Sequence, residues 1–381
     1  MIDRIRKDFY KALSRLHRNP FPERKVFSKE KIEDDLITSI GDIVNDLGYG
    51  SWDNAYFVHS NGFAGTPEKG SMKRAYQTLE AGVNAAAGEL VIVLPGTYTL
   101  AEEAMDGMDA DIYCMPGVVF NGDGDGSRVY MVNDTSGAVA FSIRGHARFN
   151  LNDRFVLYYS VTTGSNFYLE AKGGIYCGSG QPFGWLFRNN AYGVPSTWVM
   201  ENTDVSQMTG EQTDLFVFLW CGDVTLRNCS ITSDNGAQIE VRNDTGDTIS
   251  MTLINCKFLE ESSDESLLKV GAFSPTTGCT YNFAFEDTHM RQTGAGTDAG
   301  GTLSIGKGAT LNMSFRGTNI ITCSDPSTNE AFKLVTAAVT QDIHLFGDLY
   351  LNKAILLASP TTSTNSIGGT IISDTALVYQ P

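Results

Sequence analysis

Three acidic residues in the middle of the chain, Asp204, Asp214 and Asp223, recur at intervals of about ten. Two carboxyl groups held ~5–9.5 Å apart can cleave a glycosidic bond, one as the acid and the other as base or nucleophile. Beside them runs GQPFGWLFRNNAYGVPSTW, residues 180–198, with Phe183, Trp185, Phe187, Tyr192 and Trp198. Exposed aromatic rings stack on sugar faces, so Trp185 and Tyr192 are candidate glycan contacts, with Trp198 expected in the core. His289 joins them from a polar column that also holds Asp204, Ser230, Lys257 and Asn319. The column reads first as an ordinary solvated face and second as a glycan-binding stripe. Metal chemistry has no foothold. The seven cysteines stand at 114, 177, 221, 229, 256, 279 and 323, with no CxxC pair and no Cys/His spacing suited to zinc. No metal and no cofactor is expected, and the cysteines read as buried, reduced thiols.

The charge balance narrows the partners. Net charge is −16 over 381 residues, yet residues 1–31 hold ten Lys/Arg against four Asp/Glu. A basic arm of net +6 therefore precedes a body of net −22. Such a body repels nucleic acid and anionic membrane, so no nucleic-acid partner is expected. The longest uninterrupted apolar run, LFVFLWC at 215–221, is far short of a membrane span. The first residues, MIDRIRKDFYKAL, lack the apolar core of a secretion signal, which reads as synthesis in a cytoplasm.

What would position the candidate residues is a repeat. LRNCSIT, residues 226–232, returns as LINCKFL at 253–259. The underlying pattern is apolar-x-apolar-x-bend, then an apolar residue three places on. It places bends at Gly96, Gly117, Gly145, Gly173, Asn202, Asn228, Asn255, Asp287, Gly317, Gly347 and Gly369. Two residues before each bend stand Leu94, Met115, Ile143, Ala171, Met200, Leu226, Leu253, Phe285, Phe315, Leu345 and Ile367, all apolar. The residue immediately before it is mostly charged. Period-two alternation predicts a strand with one wet face. Gly, Asn and Asp are the residues that tolerate positive φ, so each copy reads as strand, sharp bend, strand. A period near 27 residues accommodates three short strands per coil and predicts a solenoid whose copies bury their inner faces only by stacking. The sequence thus predicts an all-β single-stranded parallel β-helix of about eleven coils, with Asn stacked over Asn at one bend and Cys229 over Cys256.

The organisation follows. Residues 1–50 form an attachment arm of two amphipathic helices, with Ile2, Ile5, Phe9, Leu13 and Leu16 on one stripe. This arm can pack on its own body, on a partner or on a membrane surface. Residues 51–90 lead in and supply a capping helix over 71–88, and 91–381 are the solenoid. YQTLEAGVNAAAGELVIVLPGTYTL, residues 76–100, resembles the segment by which pectate-lyase-like right-handed β-helix proteins pass from capping helix into first coil. That resemblance implies the fold but not one activity, because lyases, hydrolases, epimerases and phage tailspikes share it. Asn202-Thr203-Asp204 matches the first polygalacturonase motif, but the downstream motifs of that family are missing and the only paired Asp, Asp34-Asp35, lies in the arm. With its N-terminal arm the chain most resembles a bacteriophage tail fibre or tailspike. That implies a homotrimer on a virion, joined to other virion proteins through residues 1–50 and touching host surface polysaccharide. A polysaccharide depolymerase on the same fold and a head-decorating fibre are the alternatives. The coils run almost to Pro381, which leaves no separate C-terminal trimerisation domain in this sequence.

Overall fold

A computed structural model describes residues 41–42, 45, 52–100, 105, 107–122, 129–133, 139–151, 155–160, 165–177, 187–189, 196–208, 216–218, 222–233, 239–241, 248–260, 267–270, 280–292, 303–305, 310–323, 332–334, 340–352, 355–356 and 362–373. The attachment arm therefore lies outside the described residues, apart from three positions at its end. The rest is a parallel β-solenoid. Its strands fall into sheets of 12, 11 and 9, and every strand pair is parallel. From the strand Ala110–Cys114 onward, successive strands of one sheet are separated in sequence by one strand of each other sheet. Each strand thus hydrogen-bonds the equivalent segment of the next coil.

From Ser196 onward the first sheet keeps the register read from the sequence. Trp198, Val224, Met251, Phe283 and Met313 stand in one inward column, and Met200, Leu226, Leu253, Phe285, Phe315 and Leu345 in the next. All are buried. Trp198 is in the core, as its place in the repeat requires. Rings continue the stack, with Phe285 and Phe315 at 5.0 Å and 13°. Each such side chain taken from water contributes roughly 1.5–3 kcal/mol, which is why inward positions admit only apolar types.

The bend is built from two adjacent positions. Asn202, Asn228, Asn255 and Asp287 all have φ near +50°. The Asn side chains form a one-way chain: Asn255 Nδ2 donates to Asn228 Oδ1 at 2.8 Å and Asn228 Nδ2 to Asn202 Oδ1 at 3.1 Å. The next residue points inward and is always a small donor. Thr288 Oγ1 donates to Leu253 O and Glu286 O, both at 3.1 Å. Cys256 Sγ does the same to Leu226 O and Ile254 O, both at 3.3 Å, and Cys229 Sγ to Met200 O and Arg227 O. Thiol and hydroxyl are therefore interchangeable here, and Cys229 stacked over Cys256 is a pair of buried thiols rather than a disulfide.

Elsewhere the register differs from the sequence reading. In the strand Leu90–Val93 the lumen receives Val91 and Val93, while Leu90, Ile92 and Leu94 face outward with Met115. They meet a second small core made by Ala55, Phe57 and Ala75 of the lead-in segment. The predicted inward column Ile92/Leu94/Met115 is thus on the other face of the sheet, and Tyr113 packs there too. Ile112, not Tyr113 or Met115, pairs with Ile143 inside. Leu169, not Ala171, continues that column, so the bend before Ile175 is wider by one residue than the bend after Met200, and the positive φ falls on Gly174, not Gly173. Tyr176 faces out and Ile175 in. After Gly317 one extra residue turns Ile320 and Tyr350 outward and puts Asn319, Ile321, Leu349 and Leu351 inside. Asn319 tolerates this because its Oδ1 accepts from Thr288 N at 3.1 Å and its Nδ2 donates to Arg316 O at 2.8 Å.

The lead-in segment closes one end. Its strand Tyr56–Val58 is the outermost strand of the first sheet. The predicted single helix over 71–88 is instead a 3-10 turn, Met72–Arg74, followed by the α-helix Leu79–Ala86. Thr78 caps that helix through Ala81 N at 3.2 Å, and Ala87 ends it at φ 49° just before Gly88. No helix among the described residues is long and apolar enough to cross a membrane.

Candidate functional site

Alternation that turns apolar residues inward turns every other side chain of the first sheet onto an outer face. Three outward columns result. Nearest the bend run Tyr113, Arg144, Glu170, Glu201, Arg227, Ile254, Glu286 and Arg316, with Phe346 and Gly368 continuing the line. Behind them lie Ser142, Tyr168, Val199, Thr225, Thr252, Ala284, Ser314 and His344. The third column is Asn166, Thr197, Asp223, Ser250, Asn282, Asn312 and Asp342. In-register strands space these groups ~4.8 Å apart, and Asn312 Nδ2 donates to Asn282 Oδ1 at 2.8 Å.

The half-buried part of this face is an ordered ionic patch. Glu170 and Glu201 face each other across adjacent strands. Glu170 Oε1 pairs with Lys172 at 2.7 Å and accepts from Asn202 Nδ2 at 2.9 Å, while its Oε2 accepts from Gly145 N at 3.2 Å. Glu201 Oε1 pairs with Arg227, and its Oε2 accepts from Tyr168 OH at 3.1 Å. Every oxygen of both carboxylates therefore has a donor. Arg144 lies over the Tyr168 ring at 5.4 Å and reaches Asp111 at 3.7 Å. Burial first, then the neighbouring Glu170, pushes the Tyr113 hydroxyl up to about 12. Burial and both glutamates raise Tyr168 as well. The asparagine chain of the bend ends on Glu170, so scaffold and patch are one hydrogen-bonded system.

At the other end the face is aromatic. Phe346 is 58% exposed, His344 stacks against it at 6.0 Å and 18°, and the Arg316 guanidinium lies 5.8 Å from its ring centre.

The candidates read from the sequence are dispersed. Asp223 is exposed at the end of its first-sheet strand farthest from the bend. Asp204 is exposed on the second sheet, just past the bend. A six-residue strand at ~3.3 Å per residue separates the two positions by roughly 15–20 Å, so they are not brought together as a pair. Asp214, Trp185 and Tyr192 lie outside the described residues. His289 is half-buried on the second sheet, in line with Asp204, Ser230 and Lys257; Asn319 leaves that line for the interior and Ile320 takes its place. Among the described residues no group of three or more His, Cys, Asp or Glu could hold a metal ion. Sequence reasoning missed Phe346 and the Glu170–Glu201 pair. The available signal was the column before the bend, where an aromatic interrupts a run of charges.

Comparison with known proteins adds nothing to this geometry: no protein-family profile, no curated protein and no solved structure matches the chain.

Proposed function

We propose that this chain is a structural component of a bacteriophage virion, of tail-fibre or tailspike type. It joins the particle through residues 1–50 and lays its solenoid against host surface glycans. In this reading the solenoid is right-handed, as parallel crossovers nearly always are, with about eleven coils, one per strand of the second sheet. Three copies form the working unit, made in the host cytoplasm and carried on the virion. The observation that carries the glycan contact is the outer face of the first sheet. It sets hydroxyl, amide and carboxylate groups in straight columns at one strand spacing and ends in an exposed aromatic ring. A rigid ruler of this kind suits an extended polymer of repeating polar units better than a compact ligand. The resemblance of residues 76–100 and the basic arm on an acidic body support the virion assignment.

A depolymerase on the same scaffold is the second reading. It is favoured by Glu170 and Glu201 standing in register about one strand spacing apart, near the ~5–5.5 Å of retaining glycosidases. Their saturation by Lys172, Arg227, Tyr168 and Asn202 favours binding over cleavage. Electron microscopy of assembled particles, with the chain located by a bound antibody fragment, tests the first reading and separates a tail from a head position. Incubation with host surface polysaccharide tests the second. Retention without new reducing ends is expected, and released oligosaccharides would promote the depolymerase.

A further inference from the structure

We infer that Phe346 is the stacking platform of a binding site for an uncharged polysaccharide, running across the last strands of the first sheet. This rests on the glycan-contact reading and gives it a place and a ligand class. Phe346 is held in the rung by its own N–H, which donates to Phe315 O at 2.8 Å. Its ring is nevertheless 58% exposed. It is the more exposed of the two large hydrophobic side chains, Phe346 and Phe63, that stand on the surface among the described residues, and it sits on a regular sheet face. Arg316 flanks the ring from the preceding strand and His344 from its own. In the following strand the register position is Gly368, where a Cβ would meet nothing nearer than Leu345 O at 3.5 Å. Among the described residues no side chain therefore closes that side of the ring. The opening lies between one strand and the next, about the length of a single sugar ring at ~4.8 Å.

The chemistry around it selects the ligand. An apolar ring binds the C–H face of a pyranose. His344 stacks beside the ring, and Asp342 takes the next outward position along the same strand, roughly 13 Å from Phe346. Asp342 and a body of net −22 oppose an anionic polymer, while the charge of Arg316 is directed at the ring and stands in register with Glu286. A neutral glycan is what remains.

Native electrophoresis of the full chain through gels containing dextran, laminarin or galactomannan tests this, with alginate and polygalacturonate gels alongside. Retardation by at least one neutral polymer is expected. Phe346→Ala should weaken it about tenfold, the scale of one lost stacking contact, and Phe346→Tyr should preserve it. Gly368→Gln, which lays a side chain over the ring without a strained φ, should weaken it while circular dichroism stays unchanged. Retardation that ignores both Phe346→Ala and Gly368→Gln would overturn the site and leave glycan contact elsewhere standing. Retardation by the anionic polymers alone, or by none of the neutral ones, would also overturn it. Virion location is decided separately, by microscopy.

Discussion

Asn228 does two things at once. It holds φ at 53°, and it passes a hydrogen bond from Asn255 to Asn202. Asn228→Gly keeps the backbone and loses the ladder, which should cost about 1 kcal/mol, whereas Asn228→Ala adds the left-handed penalty and should cost about 2. Urea unfolding of the two variants separates the terms, and equal losses would remove the backbone argument. Tyr113 shows the same economy in its titration. Burial and Glu170 raise its folded value to about 12 against about 10 in an unfolded chain. Its contribution is therefore fully present below pH 10 and lost as the pH rises through 12. Stability should fall by on the order of 2 kcal/mol across that window. Tyr98, raised by burial with its hydroxyl on Leu94 O at 2.6 Å, adds in the same direction. Denaturant titrations at pH 9 and pH 11.5 measure the loss, and Tyr113→Phe should reduce it.

A strand of this solenoid is legible where its two faces differ and illegible where they do not. Thr248–Ile254 alternates strictly between lumen and surface, and its bend carries Asn255 followed by Cys256, so sequence alone placed it correctly. Leu253 is fully buried there between Leu226 and Phe285. Leu253→Asp should cost several kcal/mol, ~3–5, and drop the thermal midpoint sharply, because an unpaired carboxylate would sit in the stack. Leu90–Val93 is apolar at every position because the lead-in segment covers its outer face, and a strand without alternation gives no register. A slip of two, as at Gly173, preserves the faces and passes unnoticed; a slip of one, as after Gly317, exchanges them. The candidate site was less legible for a related reason. A binding face is made by residues brought into line from different coils, and Phe346 acquires meaning only once Arg316 and Gly368 are known to flank it. The inward Thr/Cys position was hidden by chemical identity, since a thiol and a hydroxyl look unlike in sequence and act alike at a carbonyl. Cys229→Thr and Cys256→Thr should accordingly cost less than about 1 kcal/mol each. Both thiols are buried and held on backbone carbonyls, so a thiol reagent should label neither cysteine before unfolding.

A stacked solenoid has two ends and one repeated surface, and its ends decide how it joins anything else. At the first end the strand Tyr56–Val58 pairs with Leu90–Val93, and the helix Leu79–Ala86 buries Leu79, Val83 and Ala86 against the core. Ala55 is fully buried and its carbonyl accepts from Gly70 N at 2.9 Å, so the closed unit includes the lead-in segment from its first described residues, at Trp52. Before it come residues 1–51, whose ten Lys/Arg all lie within 1–31 and whose nine Asp/Glu include five after that point, and among the described residues the small outer core is made within the closed unit. The two parts should therefore separate by function. A chain of residues 52–381 should keep the circular dichroism and, within a degree or two, the thermal midpoint of the full chain, because the lead-in core is intact. Any polysaccharide that retards the full chain in the gels should retard this shorter chain equally. It should fail to enter particles when it is the only copy supplied, since the proposed function assigns attachment to residues 1–50. Incorporation at the full chain's level would refute the attachment role of residues 1–50. A large fall in the thermal midpoint would show instead that the arm packs on the solenoid and belongs to its fold.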